Sequence, residues 1–449
     1  MAKKKKIYVC KSCGHEYPKW QGRCDNCGEW NTIIEQIVVQ RNSSNTAILA
    51  PSEPQSLDSI DSSEKCRIQT GIGEFDRVLG GGIIPGSVTL LFGEPGIGKS
   101  TILLQLALKL AESGKKILYI AGEESAGQIK LRGERLGNME YARNVIILAE
   151  NNPDEIVRIK RDIDLVIVDS IQSMTCPDIP STAGNITQVR QAAAIFIQFA
   201  KENRIPVFLV GHITKSGVVA GPKILEHAVD VVLYLEGDSK GELRFLRGKK
   251  NRYGSTGEIG VFKMVNKGFK EITNPSSEFI SHRNKQVPGR VIYAGLEGQR
   301  PLFVEIQALT AQNSYGNPQR VAHGIDYKRL MILSAILESR AGFSMYNYDV
   351  FVNVVSGVKI SEPASDLAVL TAIAGSIREM AVDDHTIMFG EVGLTGEIRQ
   401  SPRAEARINE ASRLGFKRVI TSKVTTKNKS IEVIKVDDIL TALNKAFRE

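Results

Sequence analysis

The chain has 449 residues and a formal net charge of +8, a length that exceeds a single hydrophobic core and predicts two or three domains. Its apolar fraction of 42% and its charged fraction of 24% are ordinary for a water-soluble protein. Because no run approaches the roughly 18 apolar residues that cross a bilayer, the composition excludes membrane-spanning classes.

The first thirty residues are basic, with seven Lys or Arg against three Asp or Glu. This excess predicts either contact with a polyanion or a solvated basic tail. The lysine run Lys3–Lys6 has the charge of a signal-peptide start. A polar segment that carries cysteines follows it, however, where a signal peptide would be apolar. We therefore expect a cytoplasmic protein.

Two cysteine pairs lie in this basic region, Cys10 with Cys13 and Cys24 with Cys27. A glycine follows each pair and lets backbone amides point at the thiolates, so the two turns predict a tetrahedral site of four sulfur ligands. Zn²⁺ fits such a site best. The alternative, a pair of disulfides, is disfavoured in a reducing compartment. Since so small a module needs its metal to fold, we predict a four-cysteine zinc-binding module over residues 1–40.

The rest of the chain is predicted to be a linker and two α/β domains. Residues 41–65 are rich in serine and contain two prolines but few large apolar side chains. They cannot bury enough apolar surface to offset the entropy cost of becoming ordered, so we predict a linker. Residues 66–274 alternate apolar strand-like runs with helical patterns, which is typical of a mostly parallel, doubly wound α/β sheet. The pattern restarts after Asn274 and predicts a separate α/β domain over residues 275–449. The predicted strands are Val88–Phe92, Ile117–Ala121, Leu165–Val168, Pro206–Val210 and Val229–Leu235, and the predicted helices are Thr101–Ser113, Gln188–Asn203, Lys328–Ala341 and Ser365–Met380.

A glycine-rich loop joins the first of these strands to the first helix. Its glycines allow backbone N–H groups to wrap phosphates, and the helix N-terminus adds its dipole. Lys99 is predicted to reach the β- and γ-phosphate oxygens, and Ser100 to bind Mg²⁺. The pattern therefore predicts an ATP–Mg²⁺ site. The predicted nucleotide contacts are Gly93, Glu94, Pro95, Gly96, Ile97, Gly98, Lys99, Ser100 and Thr101.

Three further strand ends are predicted to complete this site. Asp169 ends an apolar strand and is the predicted second Mg²⁺ ligand. Glu123 follows another strand and is the predicted base that polarises the attacking water, with Glu124 as the alternative. Acidic residues at strand ends are also often only helix caps. His212 is either a γ-phosphate sensor or an ordinary structural histidine.

The order of these motifs resembles a known protein family. Between the cysteine pairs and the phosphate loop lies the glycine-rich segment Gly71–Gly82, and beyond the sheet lies Lys250–Gly254, which reads Lys-Asn-Arg-Tyr-Gly. Together the motifs resemble the bacterial RadA (Sms) family of DNA repair and recombination proteins over essentially the whole chain. The family usually has phenylalanine at Tyr253, and tyrosine keeps the ring.

The last of these motifs carries two cations, Lys250 and Arg252. Two residues apart on a strand, they are predicted to project from one face and meet an anionic phosphate, although an exposed basic turn is the alternative. In the RecA-like and DnaB-like ring families that RadA resembles, such a pair acts on the ATP of a neighbouring subunit. The resemblance thus implies a homohexamer with shared nucleotide sites.

The resemblance also implies two DNA-binding loops, at about residues 174–187 and 214–227. Lys215 and Lys223 would bind backbone phosphates, while the lack of aromatic residues argues against base stacking. Disorder is the alternative for such loops. The implied activity is a DNA-dependent ATPase that moves along single-stranded DNA and drives branch migration on branched DNA. The zinc module would contact a partner, with RecA recombinase as the candidate.

Residues from about 285 to 449 resemble the proteolytic domain of Lon, including Gly390–Glu397. Lon uses a serine–lysine dyad, and this sequence has Ala364 and Glu405 at the matching positions. Ser365 is one residue late and is predicted to be the N-cap of the following helix. We therefore expect a scaffold for ring assembly and no peptidase activity.

Six basic residues of this domain could form a face for duplex DNA, or an ordinary solvated helix face. They are Arg399, Arg403, Arg407, Arg413, Lys417 and Arg418. Two other functions stay open as alternatives to a DNA motor. One is an ATP-dependent protease, and the other is a switch that hydrolyses ATP without moving DNA.

Overall fold

The computed structural model describes residues 3–10, 16–40, 56, 67–159, 162–212, 225–237, 242–276, 280, 286–313, 316–355 and 359–447. The chain divides into two compact units, one formed by Met1–Gly237 with Glu242–Glu271 and the other containing Ile272–Glu449. None of the helices in these ranges has the length and apolar character of a membrane span. The predicted linker lies outside the described residues, apart from Ser56.

The first strands form a small antiparallel sheet in the order β2-β1-β3. They are β1 (Lys3–Cys10), β2 (Glu16–Tyr17) and β3 (Ile33–Gln40). The buried core beneath them consists of Cys10, Tyr17, Cys24 and Ile33. Among the side chains that the structure describes here, so small a core buries little apolar surface, which favours a metal crosslink among the cysteines.

Nine further strands of the described chain form one sheet in the order β12-β11-β10-β9-β4-β8-β7-β5-β6. The strands from β9 to β6 in this order are parallel, and β10 to β12 extend the sheet as antiparallel neighbours. The strands are β4 (Val88–Gly93), β5 (Ile117–Ala121), β6 (Val145–Leu148), β7 (Leu165–Asp169), β8 (Val207–His212), β9 (Val231–Gly237), β10 (Leu243–Asn251), β11 (Ile259–Val265) and β12 (Gly268–Glu271).

Helices cover both faces of this sheet, which explains its continuous apolar strands. In β5, Tyr119 packs into the core that contains α1, α2 and part of α3, while Leu118 and Ile120 pack into the core that contains α5. This alternation buries both faces of one strand. The helices are α1 (Gly73–Leu79), α2 (Lys99–Glu112), α3 (Ala126–Leu136), α4 (Pro153–Val157) and α5 (Ile186–Asn203).

The second unit is built on a seven-stranded sheet with the order β15-β16-β14-β13-β17-β20-β21. The strands of the unit are β13 (Arg290–Glu297), β14 (Arg300–Gln312), β15 (Arg320–His323), β16 (Tyr348–Val354), β17 (Thr386–Met388), β18 (Glu391–Val392), β19 (Ile398–Arg399), β20 (Arg418–Thr421) and β21 (Glu432–Lys435). Its helices are α6 (Tyr327–Ala341), α7 (Asp366–Arg378), α8 (Ala404–Arg413) and α9 (Ile439–Ala446). Of these, α7 is buried along most of its length against the sheet.

The predicted α/β fold is confirmed, and each predicted strand and helix is found within two residues of its expected ends. The predictions succeed because apolar periodicity and glycine-rich turns are local signals that the tertiary packing preserves here. The first strand runs one residue further than predicted, to Gly93. The first helix begins two residues earlier than predicted, at Lys99.

Candidate functional site

The loop between β4 and α2 has a backbone shape that favours glycine. Gly96 and Gly98 have φ angles of +75° and +111°, in the region that side chains rarely adopt. A Cβ atom on Gly98 would also lie 2.7 Å from Cζ of Phe269, and one on Gly93 would lie 2.3 Å from the carbonyl oxygen of Leu235. Both the turn and its packing therefore require glycine.

Lys99 begins α2 and has only 3% of its surface exposed. Its Nζ donates hydrogen bonds to the carbonyl oxygens of Gly93 and Glu94, each at 3.0 Å. Burial lowers the pKa of Lys99, while the negative charges of Asp169 and Glu123 act in the opposite direction. The ammonium group thus lies inside the loop, close to both acidic residues predicted for this site.

Asp169 at the end of β7 accepts a hydrogen bond from the hydroxyl of Tyr119 at 2.5 Å, and the Ser100 side chain is close enough to act to lower the pKa of Asp169. Burial raises the pKa of the Asp169 carboxyl, and the nearby charges of Glu124 and Glu123 add to this effect. A divalent cation would offset the concentration of negative charge, and hydroxyl and carboxylate oxygens are ligands that Mg²⁺ prefers. The two predicted magnesium ligands are therefore adjacent and fit the ion.

Glu123 and Glu124 both follow β5 but make different contacts. Glu123 Oε1 accepts a hydrogen bond from the hydroxyl of Ser170 and lies 3.5 Å from Nε2 of His212. The contact with His212 is the main cause that lowers the pKa of Glu123 to about 2. Glu123 is consequently ionised at neutral pH. Glu124 instead forms an ion pair with Arg132 of α3.

Neither glutamate caps the next helix. Ser125 is the N-cap of α3 and forms a capping box with Gln128, so the interpretation of Glu124 as a helix cap is wrong. Arg132 follows the buried Ile129 by three residues on the same helix. No motif marks Arg132 in the sequence, although this spacing indicates that its side chain lies on the same side of the helix as Ile129.

Lys250 and Arg252 converge on one backbone segment, residues 226–230. The Lys250 Nζ donates to three carbonyl oxygens of this segment, at 2.7, 3.2 and 2.8 Å. Arg252 Nη1 lies 3.3 Å from Oδ1 of the buried Asp230. Burial lowers the pKa of Lys250, and the charge of Arg252 adds to this effect. The two cations are thus neighbours.

The predicted strand position holds for Lys250 but not for Arg252, because β10 ends at Asn251. The backbone N–H of Arg252 still donates to the carbonyl oxygen of Asp230 at 3.1 Å, one residue beyond the last paired residues, Asn251 and Val231. Both side chains contact residues 226–230, as expected for two cations that project together.

The Lys250–Arg252 pair lies at the opposite end of the sheet from the phosphate loop. Lys250 is opposite Val232, which pairs with Leu90 near the start of β4. The loop leaves β4 after Gly93, three residues and about 10 Å further along the strand. Within one chain, the two cations and the phosphate loop therefore occupy different ends of the strands.

Cys10, Cys24 and Cys27 place their Sγ atoms within 4.8 Å of one another. The Sγ atoms of Cys10 and Cys27 are 3.6 Å apart, close to the roughly 3.8 Å expected for two ligands of a tetrahedral Zn²⁺. The hydroxyl of Tyr17 lies 3.3 Å from Cys24 Sγ, where it supports a thiolate. These three cysteines form a rubredoxin-like zinc site, while Cys13 lies outside the described residues.

The predicted DNA contacts Lys215 and Lys223 lie outside the described residues, which stop at His212 and resume at Leu225. The other predicted loop, residues 174–187, is described. Gln188 of α5 holds it through hydrogen bonds to the backbone of Cys176, at 2.7 Å, and of Ser181, at 2.9 Å.

The positions of the Lon dyad are Ala364 and Glu405. Ala364 is buried and Glu405 is exposed on α8. Ser365 occupies the N-cap position of α7 but makes no capping bond, because its backbone is already helical, with φ −76° and ψ −15°. Its hydroxyl donates to the carbonyl oxygen of Glu362 at 2.9 Å. The predicted capping role of Ser365 is therefore wrong.

Of the six basic residues that could form a face for duplex DNA, Arg407 cannot contribute, because it is 0% exposed. Three of the other arginines pair with glutamates on the surface, which reduces the positive field there. These pairs are Arg399 with Glu391 and Glu397, Arg413 with Glu410, and Arg418 with Glu432.

The phosphate loop after β4, the acid at the end of β7 and the glutamate after β5 define a RecA-like P-loop ATPase on a mostly parallel sheet. Three family models match the chain: an AAA domain over residues 67–218, a rubredoxin metal binding domain over residues 8–35, and subunit ChlI of Mg-chelatase over residues 322–425.

The chain is 45% identical to the DNA repair protein RadA of Bacillus subtilis (strain 168) and 44% identical to that of Streptococcus pyogenes serotype M1, with 100% of each chain covered. It belongs to the RadA family of DNA repair proteins. Among solved structures, the RadB recombinase matches 45% of this chain at 24% identity and a TM-score of 0.37, with 99% of the RadB chain covered.

Proposed function

We propose that this chain is a DNA-dependent ATPase that moves along single-stranded DNA and drives branch migration of recombination intermediates during homologous recombination and repair. The observation that carries the proposal is the position of Lys250 and Arg252 at the end of the sheet opposite the phosphate loop. If this pair acts on ATP, the nucleotide must belong to a neighbouring chain. A shared site of this kind favours a ring motor, and we propose a homohexamer.

Within one chain, the loop from Gly93 to Thr101 would hold the phosphates. The ammonium group of Lys99 donates hydrogen bonds to two carbonyl oxygens of the loop. When ATP binds, phosphate oxygens would replace these carbonyl oxygens as its acceptors. Ser100 and Asp169 would hold Mg²⁺, which neutralises charge on the phosphates when bound. The proximity of these two side chains supports this assignment.

Glu123 would polarise the attacking water. Its pKa of about 2 keeps it ionised at neutral pH, so its carboxylate can accept a hydrogen bond from the attacking water. His212 lies 3.5 Å from Glu123. A γ-phosphate that contacts His212 would therefore also affect the position of the Glu123 carboxylate. Lys250 and Arg252 of the adjacent chain would stabilise the negative charge that develops on the γ-phosphate.

The partners we propose are single-stranded and branched DNA, with Lys215 and Lys223 on backbone phosphates, and RecA recombinase at the zinc module. Phosphate contacts without base stacking give binding that is independent of sequence and sensitive to salt. The names of the relatives as DNA repair proteins support this choice. We propose a cytoplasmic location and domain boundaries at 1–40, 41–65, 66–274 and 275–449.

Unwinding of a three-strand DNA junction tests the shared site. Lys99→Ala and Arg252→Ala should each abolish unwinding, whereas Arg158→Ala should not, because Arg158 is a surface residue with 71% of its side chain exposed. Mixing the two inactive variants should restore part of the activity, since some interfaces then combine an intact loop with an intact arginine. Full activity of Arg252→Ala alone, or mixtures as inactive as their components, would refute the shared site.

Two further measurements separate the alternatives. Single-stranded DNA should raise ATP turnover, and turnover that is indifferent to DNA would favour a switch that moves no DNA. ATP-dependent cleavage of casein that disappears in Ser365→Ala would favour a protease. Ala364 and the exposed Glu405 oppose that outcome.

A further inference from the structure

Two adjacent carboxylates stand where one catalytic base is needed. Glu123 and Glu124 both follow β5, whose last residue, Ala121, pairs with Asp169 of β7, and the N–H of Gly122 donates to the carbonyl oxygen of Asp169 at 2.8 Å. Either carboxylate could therefore approach a water molecule near the magnesium ligands. Something other than proximity to Asp169 must decide which of them serves as the base.

Arg132 of α3 is the group that distinguishes them. Its Nη2 bonds Oε1 of Glu124, in a contact where 18% of the arginine side chain and 36% of the glutamate side chain are exposed. Glu123 has 50% of its side chain exposed and is held by a hydroxyl and a histidine. Glu124 alone of the two is therefore tied to a permanent cation.

The environment of Arg132 makes this contact costly to break. Its other terminal nitrogen, Nη1, is buried without a hydrogen-bond partner among the described residues. The ion pair with Glu124 is thus the main compensation for a guanidinium group that is largely removed from water. If Glu124 swung toward the attacking water, it would leave this cation buried and unpaired.

We propose that Arg132 is a positioning residue that holds Glu124 away from the attacking water and so leaves the role of base to Glu123. The proposal rests on the ATP hydrolysis assigned above. It predicts a gain of function: when the base is removed, removal of Arg132 frees Glu124 to replace it. A residue needed only for folding could not produce such a gain.

The test compares the kcat of ATP hydrolysis, with single-stranded DNA present, for a series of full-length variants. Glu123→Gln should lower kcat by about 10²- to 10⁴-fold, the usual loss for a general base. Adding Arg132→Gln should raise the kcat of Glu123→Gln by about tenfold or more, because a displaced carboxylate recovers part of a general base's contribution. A triple variant that also carries Glu124→Gln should lose this gain.

The matched control adds Arg135→Gln to Glu123→Gln, since Arg135 lies exposed on the same helix. No gain is expected there. Binding of a fluorescent ATP analogue and thermal unfolding show whether each variant is folded. If Arg132→Gln does not fold, Arg132→Met removes the charge with a similar chain length.

A double variant no faster than Glu123→Gln, or a triple variant that keeps the gain, would overturn the positioning role. A Glu123→Gln enzyme as fast as the wild type would instead contradict the assignment of Glu123 in the proposed function. The two failures are therefore distinguishable in one series.

Discussion

Arg407 and Glu362 form an ion pair in which the arginine side chain is 0% exposed and the glutamate side chain is 23% exposed. Arg407 also donates to the carbonyl oxygen of Ala294, and the hydroxyl of Tyr293 donates to Glu362 at 2.5 Å. Burial raises the pKa of Tyr293 well above its usual range, so it remains a donor at neutral pH.

This ion pair links the two segments that carry the dyad in Lon. Glu362 precedes Ala364 by two residues, and Arg407 follows Glu405 by two. The pair is fully used in internal contacts, so the region it occupies holds the second unit together. These internal contacts support a structural role for the two segments next to Ala364 and Glu405.

Removal of the buried arginine should destabilise the second unit strongly. Arg407→Ala leaves Glu362 and Ala294 without their charged partner, and we expect a loss of about 3–5 kcal/mol in the free energy of unfolding. Urea unfolding followed by circular dichroism measures it. Arg413→Ala, in a surface pair whose arginine side chain is 60% exposed, should cost no more than about 1 kcal/mol. Equal losses of unfolding free energy in the two variants would contradict the stabilising role of the buried Arg407.

Gly98→Ala should abolish tight nucleotide binding. The added methyl group would lie 2.7 Å from Phe269, and the alanine would have to adopt a φ of +111°. The phosphate loop must therefore move. Gly114→Ala is the matched control, because it also has a positive φ, +80°, but open space around it. That change should cost about 1–2 kcal/mol of stability and leave binding intact. Titration with a fluorescent ATP analogue measures both, and unchanged affinity of Gly98→Ala would contradict the packing argument.

Replacement of one buried cysteine should empty the zinc site. Purified protein should hold one Zn²⁺ per chain by elemental analysis, and Cys24→Ser should lose most of it because an alcohol is a poor zinc ligand at neutral pH. Cys176→Ser should retain the full content, since Cys176 is buried apart from the cluster. Retention of zinc by Cys24→Ser would remove Cys24 from the ligand set.

The thiol of Cys176 should be inert at neutral pH. Burial is the main cause that raises its pKa to about 11, and the charges of Asp154 and Asp178 add to it. Because the thiolate is the reactive form, alkylation of Cys176 should rise about tenfold per pH unit and level off only near pH 11. Mass spectrometry of iodoacetamide adducts in the native protein measures this rate. A plateau at about pH 9, close to the ordinary thiol pKa, would mean that the thiol is not desolvated as described.

The raised pKa of Cys176 also makes the stability of the fold depend on pH. The folded state keeps the proton to higher pH than the unfolded state, where a thiol titrates near about pH 8.5. Folding therefore becomes less favourable as the pH rises from about 8.5 toward 11. Cys176→Ala should reduce this part of the alkaline destabilisation, which denaturant titrations at about pH 8 and about pH 10 would detect.

The amino-acid sequence by itself determined the features that depend on neighbours along the chain. The glycines of the phosphate loop, the strand that ends at Asp169 and the spacing of Cys10, Cys24 and Cys27 are local patterns. Backbone propensity, side-chain periodicity and ligand spacing act over a few residues, so these patterns predict their structures without knowledge of the rest of the fold.

Only the tertiary structure decided the roles of residues that meet across the sheet. Glu123 and Glu124 are adjacent and chemically alike, yet one contacts Ser170 and the other pairs with Arg132. Arg407 resembles a surface arginine in sequence, but packing buries it completely. Burial and ion pairing depend on chain segments that are remote in sequence, and no local pattern encodes which of them will meet.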